Sequence, residues 1–267
     1  MDLRCRALDI LAIAAPDAKV AATQALAQAV AGGEATLDET TTLVPGPAVT
    51  LPGRPPLPRL VAAVKVTKRS PFTLEGRAAL VHAIAHIEFN AINLALDALW
   101  RFPGMPRAFY LDWLKVAAEE ALHFDLLAGH LRTLGANYGD FDAHDGLWTM
   151  AERTAGDVLA RMALVPRTLE ARGLDATPPL QAKFAKAGDP RAVDILAIIL
   201  RDEVGHVQIG NRWYRFLCTQ RGLDPVALYP DLVERFQAPK LRAPFNLEAR
   251  RAAGFEDAEL AALTLAP

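Results

Sequence analysis

Glu120-Ala-Leu-His123 and Glu203-Val-Gly-His206 are two copies of one pattern, Glu-x-x-His. Each is preceded by a lone glutamate on an earlier apolar stretch, Glu88 for the first copy and Glu170 for the second. Side chains spaced by whole helical turns share a face. On that rule Glu88 sits with Val81, Ile84, Ile92, Ala95 and Leu99, and Glu120 with Trp113, Val116, Ala117, Phe124 and Leu127. Glu170 sits with Leu159, Met162, Ala163 and Pro166, and Glu203 with Leu196, Ile199, Leu200, Val207 and Gly210. Each acid is therefore a single charge on an apolar stripe. A bare buried carboxylate costs several kcal/mol or is driven to protonate. Two divalent cations balance four carboxylates and leave the two imidazoles neutral, as ligands must be. Six such side chains from four helices are what a four-helix bundle core needs to hold a metal pair.

The spacing within each pattern has a mechanical reason. Glu and His three residues apart project from one side of a helix within one turn, so both reach an ion beside it. Oxygen and nitrogen donors together suit iron or manganese, and zinc, better than copper. An ordinary polar pair on a helix surface would show the same spacing. The apolar faces and the repeated upstream glutamate argue against that reading.

Working outward, residues 73–101, 106–134, 147–172 and 190–221 read as the four long helices. Phe102-Pro103-Gly104, Gly135, Gly173 and Gly222 stop them, with Pro178 and Pro179 in the connection after the third. Asp189-Pro190 is a capping pair for the fourth. Residues 2–14 and 17–31 read as shorter helices, and 36–58 as an irregular, proline-rich arm. Leu43, Val44, Val49 and Leu51 suggest that this arm packs. Further helices are expected near 224–237 and 256–264. The expected organisation is helices and arm over 1–60, a bundle over 61–222 and a helical extension over 223–267. The fold class is all-α.

The net charge of -2 gives no global pull toward nucleic acid or an anionic membrane. Lys65, Lys68 and Arg69 form a local basic cluster of the kind that usually faces solvent. Two cysteines, Cys5 and Cys218, cannot form a disulfide framework and fit a reducing, cytoplasmic setting. Arg4 and Arg6 before an apolar run look like a leader, but Asp9 interrupts the run, which reads as a helix. No apolar stretch long enough for a membrane span is evident.

The order Glu88, Glu120 with His123, Glu170, Glu203 with His206 resembles the ferritin-like di-iron carboxylate superfamily residue by residue. The stretches His86-Ile-Glu-Phe-Asn-Ala-Ile-Asn-Leu-Ala, Tyr138-Gly-Asp-Phe-Asp-Ala-His-Asp-Gly-Leu-Trp and Leu169-Glu-Ala-Arg-Gly-Leu-Asp are similar to a bacterial ferritin-like family of unknown function. The resemblance implies a ferritin-like four-helix bundle with N-terminal helices, a Pro-rich arm and a C-terminal helical tail. It implies two iron ions, with manganese or a mixed pair as alternatives. The implied activity is a dioxygen-dependent oxidation or hydroxylation of a small organic substrate, with electrons from a separate donor. Asp202 and Glu119, each next to a ligand glutamate, are candidates to receive a ligand histidine's free ring N–H.

Other readings stay open. Storage ferritins and ferroxidases match half of the pattern, since their second helix pair lacks Glu-x-x-His. A rubrerythrin-like peroxidase would bring a Cys-rich module that this chain lacks. One superfamily branch hydroxylates a tRNA base, which the near-neutral charge weighs against. A structural metal site in an interaction scaffold is the non-enzymatic reading. The arm and tail are candidates for closing a pocket or for a homodimer contact. His86, Asn90, Asn93 and Asp97 form a polar stripe, either a hydrogen-bonded seam or a solvated face, while His82 and His130 read as surface or packing residues. Asp140-Phe-Asp-Ala-His-Asp-Gly resembles a calcium loop, but its glycine is one position late and no closing Glu follows, so it reads as a capping turn. Tyr110, Tyr138 and Tyr214 are the tyrosines weighed for a place near the metals. Tyr214 lies too far along the helix from Glu203 for a radical role.

Overall fold

The structure is a computed structural model that describes residues 1–67 and 69–265, so Lys68 of the basic cluster lies outside the described residues. It is all-helical. Among the described residues the only strand-like pairings are two isolated bridges, Asp2 with Thr36 and Leu60 with Ala143. Two compact units emerge, Met1–Trp148 and Thr149–Pro267. They divide the 61–222 segment between them.

In the first unit, α1 (Leu3–Leu11) and α2 (Pro16–Ala31) precede the arm, and α3 (Leu74–Arg101) and α4 (Arg107–Thr133) follow it. Asp2 caps α1 by accepting from Cys5 N at 3.0 Å, and Thr73 Oγ1 caps α3 by accepting from Gly76 N at 3.1 Å. Gly104, at φ +80°, takes the left-handed conformation that lets the chain reverse between α3 and α4. α3 packs along α4 and against α1, while α2 packs against α4. Among the described helices α3 alone is long and apolar enough to cross a membrane, and 78% of its apolar window is buried in packing. This corrects the sequence reading. Polar residues such as His86 and Asn90 visually broke a run whose mean hydropathy is nonetheless high.

The arm is irregular, as its prolines require, and both buried prolines, Pro52 and Pro58, and polar ties fix it. Of the residues expected to pack, Leu43 and Leu51 are half-buried, while Val44 and Val49 are 79% and 43% exposed. Buried Arg4 instead donates to the carbonyls of Asp38 (2.9 Å), Thr41 (2.8 Å) and Trp100 (2.8 Å). Gly53 N donates to Leu11 O at 2.8 Å. A Cβ on Gly53 would stand 2.1 Å from Ala12 O, so only glycine allows this approach. Arg54 pairs with Asp145 at 2.8 Å and Arg59 with Asp142 at 2.7 Å. The loop that resembled a calcium site thus spends its acids holding the arm.

In the second unit the expected helix 147–172 is a broken run. It comprises α5 (Gly146–Arg153), α6 (Val158–Leu164), a π segment (Val165–Glu170) and α7 (Ala171–Lys186). The first break is made by Asp157, which caps α6 by accepting from Leu159 N at 3.0 Å. Buried Arg161 then reaches back to Ala151 O at 2.5 Å and Thr154 Oγ1 at 2.8 Å. The π segment begins around Pro166, which has no N–H to continue the α-helical ladder. Thr168 Oγ1 donates to Ala163 O at 2.7 Å inside it.

Gly173 does not stop this run, and α7 continues through Pro178 and Pro179. The reason is local. Pro178 cannot serve Leu174 O, and Asn246 Nδ2 donates to that carbonyl instead at 3.2 Å. Thr177 Oγ1 donates to Gly173 O at 2.7 Å. α8 (Pro190–Arg221) is continuous, capped by Asp189 and closed by Gly222 at φ +64°. α9 (Pro225–Arg235) and α11 (Asp257–Leu265) fall where expected. α10 (Leu247–Ala252), capped by Asn246, is a helix not separately expected from the sequence. Arg250 of α10 is fully buried and pairs with Asp175 at 2.6 Å.

Candidate metal centre

α3 and α4 bring Glu88, Glu120 and His123 together. Their exposures are 3%, 0% and 0%. His123 Nδ1 lies 3.2 Å from Glu88 Oε2 and 3.4 Å from Glu120 Oε2. One ligand atom from each residue lies within 4.8 Å of the others. This is a buried cluster that could hold a metal ion, with two hard oxygen donors and one imidazole nitrogen. Burial, reinforced by the charge of Glu120, pushes the Glu88 carboxyl up to about 8. Burial alone would lower the His123 imidazole, but hydrogen bonds and charge from Glu120 and Glu88 prevail and raise it to about 12. The imidazolium is thus the cation these carboxylates hold when no metal is there, and a metal would replace its proton. Phe89 follows Glu88 and Phe124 follows His123. Their rings lie 5.4 Å apart, and Phe124 meets Tyr138 edge-on at 5.0 Å.

In the second unit Glu170, Glu203 and His206 are also buried, at 9%, 7% and 0% exposure. His206 Nδ1 is 3.9 Å from Glu203 Oε2 on α8, a looser pairing than in the first unit. Glu170 closes the π segment rather than sitting on a continuous α-helix. Such wide turns re-aim the side chains that follow them. Gly173, one turn on, leaves room beside Glu203, whose Cδ would stand 3.9 Å from a Cβ placed there.

The remaining candidates are placed as follows. Glu119 pairs with Lys115 at 3.1 Å and Asp202 with Arg201 at 2.8 Å. The polar stripe on α3 is a buried seam. His86 Nδ1 meets Tyr138 Oη at 2.9 Å, Asp97 binds Arg101 at 2.6 Å, and Asn93 Oδ1 accepts from Lys19 Nζ. His82 is buried, accepts from Gly139 N at 2.9 Å and stacks on Tyr138. His130 is buried as well. Tyr110 donates to Phe102 O and Tyr214 to Pro225 O, both at 2.8 Å. Sequence reasoning missed Lys19, which is fully buried and donates to Leu11 O at 3.2 Å and Gly53 O at 3.0 Å. Burial, then the charge of Arg54, lowers its ammonium to about 7. The signal available was a lysine at helical spacing from Thr23 and Leu26, the other buried residues of α2.

Residues 12–261 match the model of a family described as "Protein of unknown function (DUF455)". The chain belongs to this family. A protein of Haemophilus influenzae, named only as an uncharacterized protein, is 56% identical over 213 residues, covering 77% of this chain and 74% of its own. No solved structure matches the chain. All six candidate ligands fall within the residues matched to the DUF455 family.

Proposed function

We propose that this protein is a dinuclear-metal oxidoreductase built on a ferritin-like four-helix bundle. The observation that carries the reading is the buried Glu88–Glu120–His123 cluster. The same residue order recurs on buried positions of the second unit. Glu88, Glu120 and His123 would serve one ion and Glu170, Glu203 and His206 the other, with glutamates free to bridge. Two iron ions, or manganese or a mixed pair, would supply the redox chemistry that reduces dioxygen and oxidises a small organic substrate. An external electron donor completes the balance.

The chain's own residues have definite tasks in that reading. The four carboxylates neutralise the ions, and the two histidines bind only after giving up a proton. Metal loading therefore releases protons, the more so because Glu88 and His123 hold theirs tightly in the metal-free state. Glu88, Glu120 and His123 are themselves almost fully buried, which strengthens the electrostatics of the first triad. The test is metal analysis of protein purified from its own host, followed by anaerobic loading with ferrous iron and exposure to dioxygen. The reading expects two metals per chain and rapid consumption of dioxygen without mineral formation. Growth of a mineral core would favour iron handling, and salt-sensitive binding of tRNA would favour the tRNA-modifying reading. Failure to retain any transition metal would sink all three.

A further inference from the structure

The first unit holds a cavity of about 260 Å³ between the Pro-rich arm and α3, several times the space of one water. Pro55, Pro56 and Pro58 form its arm side, and Phe89 and Tyr138 contribute aromatic surface. Asn90 and Asn93, 3% and 1% exposed, also line it. Both amides are oriented by what they already bind. Asn90 Nδ2 donates to His86 O at 2.9 Å and faces His86 Nε2 at 3.0 Å. Asn93 Oδ1 accepts from buried Lys19. That leaves Asn90 Oδ1 as an acceptor and Asn93 Nδ2 as a donor, neither with a hydrogen-bond partner among the described residues. Neither atom is fully enclosed, so each stays open to a partner within the cavity that its residue lines.

The cavity's charged lining is cationic, although each cation is ion-paired just outside it. Arg54 and Arg59 line it, and no Asp or Glu is among the lining residues. Their partners Asp145 and Asp142 hold the guanidiniums in place from the neighbouring loop. A ligand that fits has an acceptor of negative charge for Asn93 and arginine, and next to it a neutral donor for Asn90. The two asparagines are three residues apart on one helix face, the spacing of adjacent side chains. A hydroxyl and a carboxylate on neighbouring carbons meet both demands. An ammonium in place of the hydroxyl would find no acid to balance it.

We propose that this cavity is a binding site for a small 2-hydroxy carboxylate with an apolar or aromatic body. The hydroxyl donates to Asn90 Oδ1, the carboxylate accepts from Asn93 Nδ2 beside Arg54, and the body rests on Phe89 and the prolines. The site lies within the first unit and stands whether or not the metal reading does.

The test is calorimetric titration of the full chain with mandelate as the probe. Two analogues serve as controls: phenylacetate, which lacks the hydroxyl, and 1-phenyl-1,2-ethanediol, which lacks the carboxylate. Mandelate is expected to bind one per chain, and each analogue at least about tenfold more weakly, a loss of about 1.4 kcal/mol. Asn93→Asp keeps an oxygen for Lys19 while replacing the donor by a charge that repels the carboxylate. It should keep the parent's thermal stability or exceed it and lose mandelate binding by at least about tenfold. No binding of mandelate by the parent at about 10 mM, equal binding of all three probes, or undiminished binding by a folded Asn93→Asp protein would each overturn the proposal. If Asn93→Asp does not fold, the analogue series on the parent decides alone.

Discussion

The two units carry one pattern, Glu followed by Glu-x-x-His, on different backbones. In the first, Glu88, Glu120 and His123 project from unbroken α3 and α4, and the imidazole stands 3.2 and 3.4 Å from two carboxylates. In the second, Glu170 ends a π segment, and His206 is 3.9 Å from Glu203. A continuous helix places its side chains by periodicity alone. A widened turn needs local residues, here Pro166, Thr168 and Gly210, to hold it. The difference teaches that recurrence of a ligand pattern does not mean recurrence of the scaffold that aims it.

The strongest way to break the comparison is to remove one histidine at a time. His123→Ala leaves two buried carboxylates facing each other, and the metal-free protein should lose about 3 kcal/mol or more. His206→Ala should cost the metal-free protein less through Glu203, whose carboxylate stands farther from the imidazole, at 3.9 Å. On the proposed function both variants lose at least about half the bound metal. Denaturant titration of stripped protein, with elemental analysis of loaded protein, reads both quantities. Equal stability losses would erase the distinction between the triads.

Gly210→Ala comes next. The new Cβ would stand 2.6 Å from Pro166 Cβ, so α8 or the π segment must shift. A loss of about 2–3 kcal/mol is expected from such overpacking. The same change at Gly173 meets nothing closer than Glu203 Cδ at 3.9 Å. It should move stability by no more than about 0.5 kcal/mol. Thermal melts of the pair test whether the π segment is held from α8.

Legibility follows the same divide. The caps at Thr73 and Asp189, the stop at Gly222 and the apolar faces around Glu88 and Glu120 are local or periodic, and the sequence displays them. The break at 154–157 was also readable, since Gly156-Asp157 joins a helix breaker to a capping residue. The π segment was not readable by period, because one residue's worth of extra turn shifts every face after it. Passage of α7 through Pro178 depends on Asn246, distant in sequence, and no local rule could reveal it. Lys19 escaped notice because its partners, Leu11 O, Gly53 O and Asn93, lie on other elements.

Removing the stitch at Pro178 gives a smaller effect. Asn246→Ala deletes the α10 cap on Ala249 N (3.1 Å) and the bond to Leu174 O (3.2 Å). It should cost about 1–2 kcal/mol. An unchanged melting temperature would show that α7 tolerates its prolines unaided.

A last contrast lies in the buried cations. The second unit uses Arg161 and Arg250, which stay charged at any accessible pH. The first uses Arg4 and, in addition, Lys19, whose folded value of about 7 lies below its ordinary 10.5. The unfolded chain then binds more protons at this group across that interval. Its contribution to stability therefore rises with pH from about 7 to about 10.5 and is lost as pH falls through 7. Lys19→Met should flatten that rise by an amount read from melts in parallel buffers. A pH dependence identical to the parent's would show that Lys19 does not titrate there.

The apolar character of α3 has a consequence for the order of synthesis. A segment with that composition, emerging alone from the ribosome, invites capture by a bilayer or by other chains. Here α1 and α2 leave the ribosome first, and α1 offers α3 a surface before α4 exists. The amino-terminal helices thus act as a reception site for the nascent hydrophobic segment, and deleting residues 1–31 should send the product into the insoluble fraction.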